Sequence, residues 1–152
     1  MKIICIMGSK QLGRYAVEKN LEQMGFKRII LYTAREPENY EENNKDYKFV
    51  SEEKFMDLIK KGAIVEYGRD NEKNVLYGTP RPFGAQRFVV VICLNGFKEL
   101  KKLYGEQVLG VYLKGSYNDD NPEAENEADI IVNGNQDLAK VTADILKALR
   151  DK

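Results

Sequence analysis

The sequence predicts an α/β sandwich built on a mainly parallel sheet. Two observations carry the prediction. Short β-branched runs alternate along the chain with stretches of helical apolar spacing, as parallel strands joined by crossover helices require. The most hydrophobic run, residues 87–94 with Phe88-Val89-Val90-Val91-Ile92 inside it, lacks polar alternation, the pattern of a strand buried on both faces and central in such a sheet.

The elements follow in order. Residues 2–7 are short, β-branched and ended by Gly8, hence a buried strand. Residues 11–24 carry Leu12, Ala16, Leu21 and Met24 near helical spacing, and Gly25 closes that helix. Residues 28–32 are a second apolar strand, 36–45 a polar loop and 47–50 a short extended piece. Ser51 caps a helix whose apolar face is Phe55, Leu58 and Ile59 and which Gly62 stops. Residues 63–67 read as a strand, 70–74 as a turn and 75–77 as extended again. Beyond residue 94, 96–103 are helical, 108–113 a strand, 118–127 an acidic loop, 129–132 a last strand and 137–149 an amphipathic helix.

A length of 152 residues suits one domain with a real core. Lys and Arg total 24 and so do Asp and Glu, so the net charge is zero and gives no electrostatic basis for binding nucleic acid or an anionic membrane. No apolar run reaches the roughly 18 residues of a membrane-spanning helix. The apolar start is too short for a signal peptide, and a cytoplasmic location is expected. The lack of histidine excludes the usual zinc sites and His-based triads, and no tightly bound metal is expected. Cys5 and Cys93 lie in apolar, strand-like runs and are expected as buried thiols. No repeat and no Pro-, Gly- or Ser-rich linker divides the chain.

Gly8-Ser9-Lys10-Gln11-Leu12-Gly13-Arg14-Tyr15 follows the first strand and opens the first helix, the setting of a phosphate-binding loop with the pattern GxxxxGK[ST]. Both glycines match. Arg14 stands where a Lys reaches the β- and γ-phosphates, and Tyr15 where a Ser or Thr hydroxyl binds Mg²⁺. Backbone N–H groups at a helix start attract an anion whatever the side chains are. Arg14 keeps the charge, and is the catalytic candidate of the loop, but its planar fork is larger and aims differently from an ammonium. The alternative is a plain strand-to-helix turn whose glycines serve backbone geometry.

Further along come Thr33-Ala34-Arg35-Glu36-Pro37, Glu41, then Asp46-Tyr47-Lys48-Phe49-Val50-Ser51 with Phe55, then Ile64-Val65-Glu66, and Leu76-Tyr77-Gly78-Thr79. This order resembles guanylate kinases, which carry TTR-x-P-R, an acidic residue, Y-x-F-V-S before a helix, F-[IL]-E and YG[ST] in that sequence. The resemblance implies a P-loop NTPase-like three-layer α/β sandwich. It implies a single guanylate kinase-like domain over residues 1–152, with a core of 1–32 and 86–152 and a small GMP-binding subdomain at about 33–85. By resemblance, Arg35, Tyr47 and Tyr77 hold the monophosphate, Glu66 accepts from the guanine N1–H and amino group, and Gly78 and Thr79 complete the base site. Mg-ATP is the implied phosphoryl donor.

The chain also departs from that pattern. Glu38 stands where a second phosphate-binding Arg is usual, and Leu31 where a Ser contact is. Val91-Ile92-Cys93-Leu94-Asn95-Gly96 aligns with D-I-D-x-Q-G and lacks both aspartates. The arginines of the family's lid give way to Lys114-Gly115-Ser116-Tyr117 and an acidic run. Removing one positive contact to a transferring phosphoryl group typically lowers the rate about 10²- to 10³-fold. The expectation is a guanylate kinase-like protein that binds GMP or a related phosphorylated ligand with weak or no kinase activity. Two alternatives stand beside it. One is an active, diverged nucleoside monophosphate kinase, with Arg81 or Arg87 of another subunit supplying charge in a homodimer. The other is an interaction module for a phosphorylated protein partner.

Overall fold

The computed structural model describes residues 1–70 and 72–151; Asn71, in the turn expected at 70–74, and Lys152 lie outside them. In chain order the elements are β1 (Lys2–Gly8), α1 (Arg14–Gln23), β2 (Lys27–Arg28), β3 (Tyr32–Thr33), β4 (Lys48–Phe49), α2 (Glu52–Lys60), β5 (Ile64–Asp70), β6 (Val75–Pro80), β7 (Arg87–Val91), α3 (Leu94–Tyr104), β8 (Val108–Lys114), α4 (Pro122–Glu127), β9 (Ile130–Asn133) and α5 (Leu138–Arg150). The chain divides into two compact units, Met1–Arg28 with Gly84–Lys152, and Ile29–Phe83.

In the first unit five parallel strands run in the order β2-β7-β1-β8-β9. Because side chains alternate along a strand, β1 feeds both faces. Ile4 and Ile6 join Leu21 of α1 and Ile145 of α5 in one apolar layer. On the other face Gly110 of β8, paired with Cys5, admits the ring of Phe97 from α3. The predicted α/β sandwich with a parallel sheet is therefore present. Its most hydrophobic run is not the central strand: β7 lies between β2 and β1, and β8 and β9 on the far side put β1 in the middle. That strand also ends at Val91 rather than residue 94, because Cys93 already takes the extended cap conformation that starts α3 at Leu94.

Other expectations shift for local reasons. The helix expected from residue 11 starts at Arg14, since Ser9 caps a separate 3-10 turn at Lys10–Leu12 and Gly13 (φ 65°) breaks the run in the left-handed region. The acidic loop at 118–127 is helical in its second half, where Asn121 accepts from the Ala124 N–H and Pro122 occupies the first helical turn. Cys5 is buried, but Cys93 is exposed. The strand expected at 28–32 is two strands: β2 pairs with β7, whereas β3 pairs with β4 and β6 in a different sheet.

The second unit holds that other sheet, in the order β4-β3-β6-β5. Ser51 caps α2 by accepting from the Lys54 N–H at 3.0 Å, with Glu52 and Glu53 in the first turn and Lys60 in the last, each sign matching the helix dipole. The buried Phe55 and Leu58 of α2 meet Ile64 and Leu76 of the sheet. The hairpin of β5 and β6 extends past the residues expected of either strand, because the antiparallel ladder continues from Ile64↔Pro80 to Asp70↔Val75.

Candidate functional site

In the second unit, strand alternation sorts β6 into two faces. A Cβ on Gly78 would lie 2.9 Å from Phe55 Cζ and 2.9 Å from Ile64 Cγ2, so Gly78 faces α2. Tyr77 and Thr79 therefore face the other way. The β5–β6 register shifts between Ile64 and Glu66, a bulge that sets Glu66 directly opposite Thr79. Thr79 Oγ1 donates to Glu66 Oε2 at 3.2 Å.

Arg35 follows β3 and joins this face. Its Nε donates to Tyr77 Oη at 3.3 Å. Its terminal nitrogens form a two-pronged pair with Glu41, at 2.6 and 2.9 Å, and one of them also donates to the Glu36 carbonyl at 3.2 Å. The guanidinium lies 5.3 Å from the Tyr47 ring centre and 5.4 Å from that of Phe49, while the Tyr47 and Tyr77 rings are 5.5 Å apart. Arg35, Tyr47 and Tyr77 are thus in mutual contact, and Thr79 and Glu66 adjoin them along the same hairpin.

Glu41 is the residue whose role the sequence left open, although its acidic type six positions after Arg35 was the signal. Arg35 first, and the Glu38 N–H at 2.9 Å second, hold its carboxylate down at about 2. The same pairing pushes the Arg35 guanidinium further up. Glu38, at the position of the missing second Arg, contributes its backbone here and keeps its side chain exposed.

The phosphate-loop candidates lie in the first unit. Gly8 (φ 137°) passes so close to β8 that a Cβ would sit 2.5 Å from the Leu113 carbonyl oxygen. Ser9 is fully buried. Its Oγ donates to Asp119 Oδ1 at 2.5 Å and accepts from the Gln11 N–H at 3.2 Å. The Lys10 N–H donates to the second oxygen, Asp119 Oδ2, at 3.0 Å. Ser9 first, the Lys10 N–H next and the charge of Arg14 more weakly hold the Asp119 carboxyl below its usual range. Leu12 turns into the core against Gly115 and Gly134, where an added Cβ would come within 3.1 and 2.9 Å of its methyl groups. Arg14 Nε is buried with no hydrogen-bond partner among the described residues, and Tyr15 is 63% exposed.

The other basic candidates are engaged. Lys114 pairs with Glu125 at 2.6 Å. Arg81 donates to the Gly62 carbonyl at 3.0 Å, and Arg87 lies 4.3 Å over the Phe26 ring. Among the described residues no cluster of three or more His, Cys, Asp or Glu forms a metal site, and no helix is long and apolar enough to cross a membrane.

The sequence profile of the guanylate kinase family matches residues 1–83, more than half of the 152. The chain belongs to the guanylate kinase family. It is 37% identical over 92 residues to a guanylate kinase of Wolbachia pipientis wMel, covering 57% of this chain and 45% of that one. It is 28% identical over 157 aligned positions to a guanylate kinase of Lactobacillus johnsonii, covering 97% of this chain and 72% of that one. The chain spans less than half the length of the Wolbachia relative and of a Mycoplasma mobile one, 45% and 39%. The fold matches the crystal structure of guanylate kinase from Anaplasma phagocytophilum with a TM-score of 0.75 at 18% identity, over 99% of this chain and 85% of that one.

For a guanylate kinase-family chain the implied partner of the phosphate loop is a magnesium-bound nucleoside triphosphate. The residues present do not fit that group. Two of the loop's donors already hold a carboxylate of the chain itself. The Lys and Ser/Thr of the motif are Arg14 and Tyr15, and an exposed phenol cannot replace a hydroxyl carried one carbon from the backbone.

Proposed function

We propose that this guanylate kinase-family chain binds GMP, or a ligand with an equivalent phosphate, on its 29–83 unit, with weak or no phosphotransfer activity. The contact network of Arg35, Tyr47, Tyr77, Thr79 and Glu66 carries the reading. Two phenols and a guanidinium suit a phosphate dianion. A carboxylate beside a small hydroxyl suits the guanine N1–H and amino group, a pairing that adenine cannot offer. Glu41 aims the Arg35 fork and offsets part of its charge, so the phenols bear more of the phosphate's recognition than in a site with two arginines. The weak-transfer half rests on the self-occupied loop, on Arg14 and Tyr15, and on Lys114 being tied to Glu125.

That the relatives are guanylate kinases favours a second reading, an active guanylate kinase using Mg-ATP. Calorimetric titration with GMP and AMP, paired with a coupled assay of ADP release, separates the two. GMP bound in preference to AMP without ADP release supports the proposal. GMP-dependent ADP release establishes the second reading, and failure to bind GMP overturns both.

A further inference from the structure

The acidic segment after β8 does more than fail to supply lid arginines. We propose that Asp119 is a built-in anion that occupies the phosphate loop, closing it to a polyphosphate until that side chain leaves. A loop between a parallel strand and a helix offers an anion its side-chain hydroxyl and its backbone N–H groups. Here the Ser9 hydroxyl and the Lys10 N–H go to the two oxygens of one carboxylate. The charge on Arg14 favours the ionised form there, as it would favour a phosphate oxygen.

The segment that delivers Asp119 is held on both sides. Before it, the Tyr117 ring packs against the core, and its Cδ2 lies where a Cβ on Gly115 would come within 2.9 Å. The Tyr117 N–H donates to Asp120 Oδ2 at 3.2 Å, closing a tight turn around Asp119. After it, the Asn121 N–H donates to Tyr112 Oη at 2.8 Å, and the Asn121 side chain caps α4. Tyr112 is itself buried in β8, so the turn is anchored to the sheet that also carries Gly8. An incoming phosphate must therefore break two charge-assisted bonds and compete with a carboxylate held at high effective concentration.

This inference concerns the first unit and does not depend on the GMP reading. The test titrates inorganic tripolyphosphate, and separately Mg-ATP, into the full chain and into Asp119→Asn, Asp119→Ala and Glu123→Gln. Glu123 is an exposed carboxylate of the same acidic segment and controls for net charge. Both Asp119 variants are expected to bind tripolyphosphate about tenfold or more tighter than the parent, with Glu123→Gln unchanged. A parent that binds as tightly as the Asp119 variants overturns the proposal. So does the absence of any gain in a folded Asp119 variant, or an equal gain in Glu123→Gln. A parallel GMP titration reports on the Arg35 unit alone, so failure of one reading is distinguishable from failure of the other.

Discussion

The carboxylate of Glu18, in α1, accepts a hydrogen bond from the backbone N–H of Val91, at the end of β7, at 2.9 Å. β2 pairs with β7 only at Phe88 and Val89, so it stops short of Val91, and Glu18 supplies the acceptor that a neighbouring strand would have offered. Glu18 is 6% exposed, and burial raises its pKa above the ordinary 4.5, partly opposed by that hydrogen bond. Because the folded state holds this proton to higher pH than the unfolded chain, the contribution is unfavourable as pH rises. Stability is expected to fall as pH climbs from 4.5 through the raised value, and Glu18→Gln is expected to remove that slope. Glu18→Ala leaves the Val91 N–H buried and unpaired and should lower stability by about 1–3 kcal/mol. Urea unfolding at several pH values reads both.

The Arg35–Glu41 pair titrates with the opposite sign. Glu41 sits at about 2 in the fold against an ordinary 4.5. Its contribution is fully present above 4.5 and lost as pH falls toward 2. Glu41→Gln is expected to flatten the acid limb of a stability–pH curve. On binding, Arg35→Ala is expected to weaken GMP about 10- to 100-fold, with Arg35→Lys intermediate because the fork is lost while the charge remains.

Glu66→Gln replaces one acceptor by an amide that presents donors toward the base. The expected result is a loss of about 10- to 100-fold in GMP affinity with AMP affinity unchanged, measured by competition calorimetry. Equal losses for both nucleotides would remove Glu66 from base recognition.

Gly78→Ala places a methyl group 2.9 Å from the Phe55 ring and from Ile64 Cγ2. The expected penalty is about 1–3 kcal/mol in guanidinium unfolding, from overpacking in the α2 interface. The resemblance implies Gly78 in the base site, but its added atom lies on the α2 side, opposite Tyr77 and Thr79, so a folded variant should keep its GMP affinity within about twofold.

Thiol labelling separates the two cysteines. Cys93 is exposed, whereas Cys5 is buried and its thiol is pushed well up by burial. The native chain is expected to react at one thiol and the unfolded chain at two. Two fast-reacting thiols in the native state would contradict the buried position of Cys5.

Legible in the residues alone are the alternation of strands and helices, the capped helix at Ser51, and the order of residue types from Arg35 to Thr79. These are legible because each rests on local information: periodicity, capping chemistry and the order of residue types through a strand-and-turn segment. The remaining features came from packing between distant segments. Sheet order put β1 rather than the most hydrophobic run at the centre, since centrality depends on which strands flank it. The apolar run at 28–32 became two strands because each end found its ladder in a different sheet. Cys93 lies exposed because its strand had already ended. Asp119 reached Ser9 across 110 residues of chain, and Glu18 reached Val91 across 73. Such pairings have no sequence signature. A carboxylate's partner is set by which strand ends the packing brings beside it, and that placement arises only when the sheet assembles.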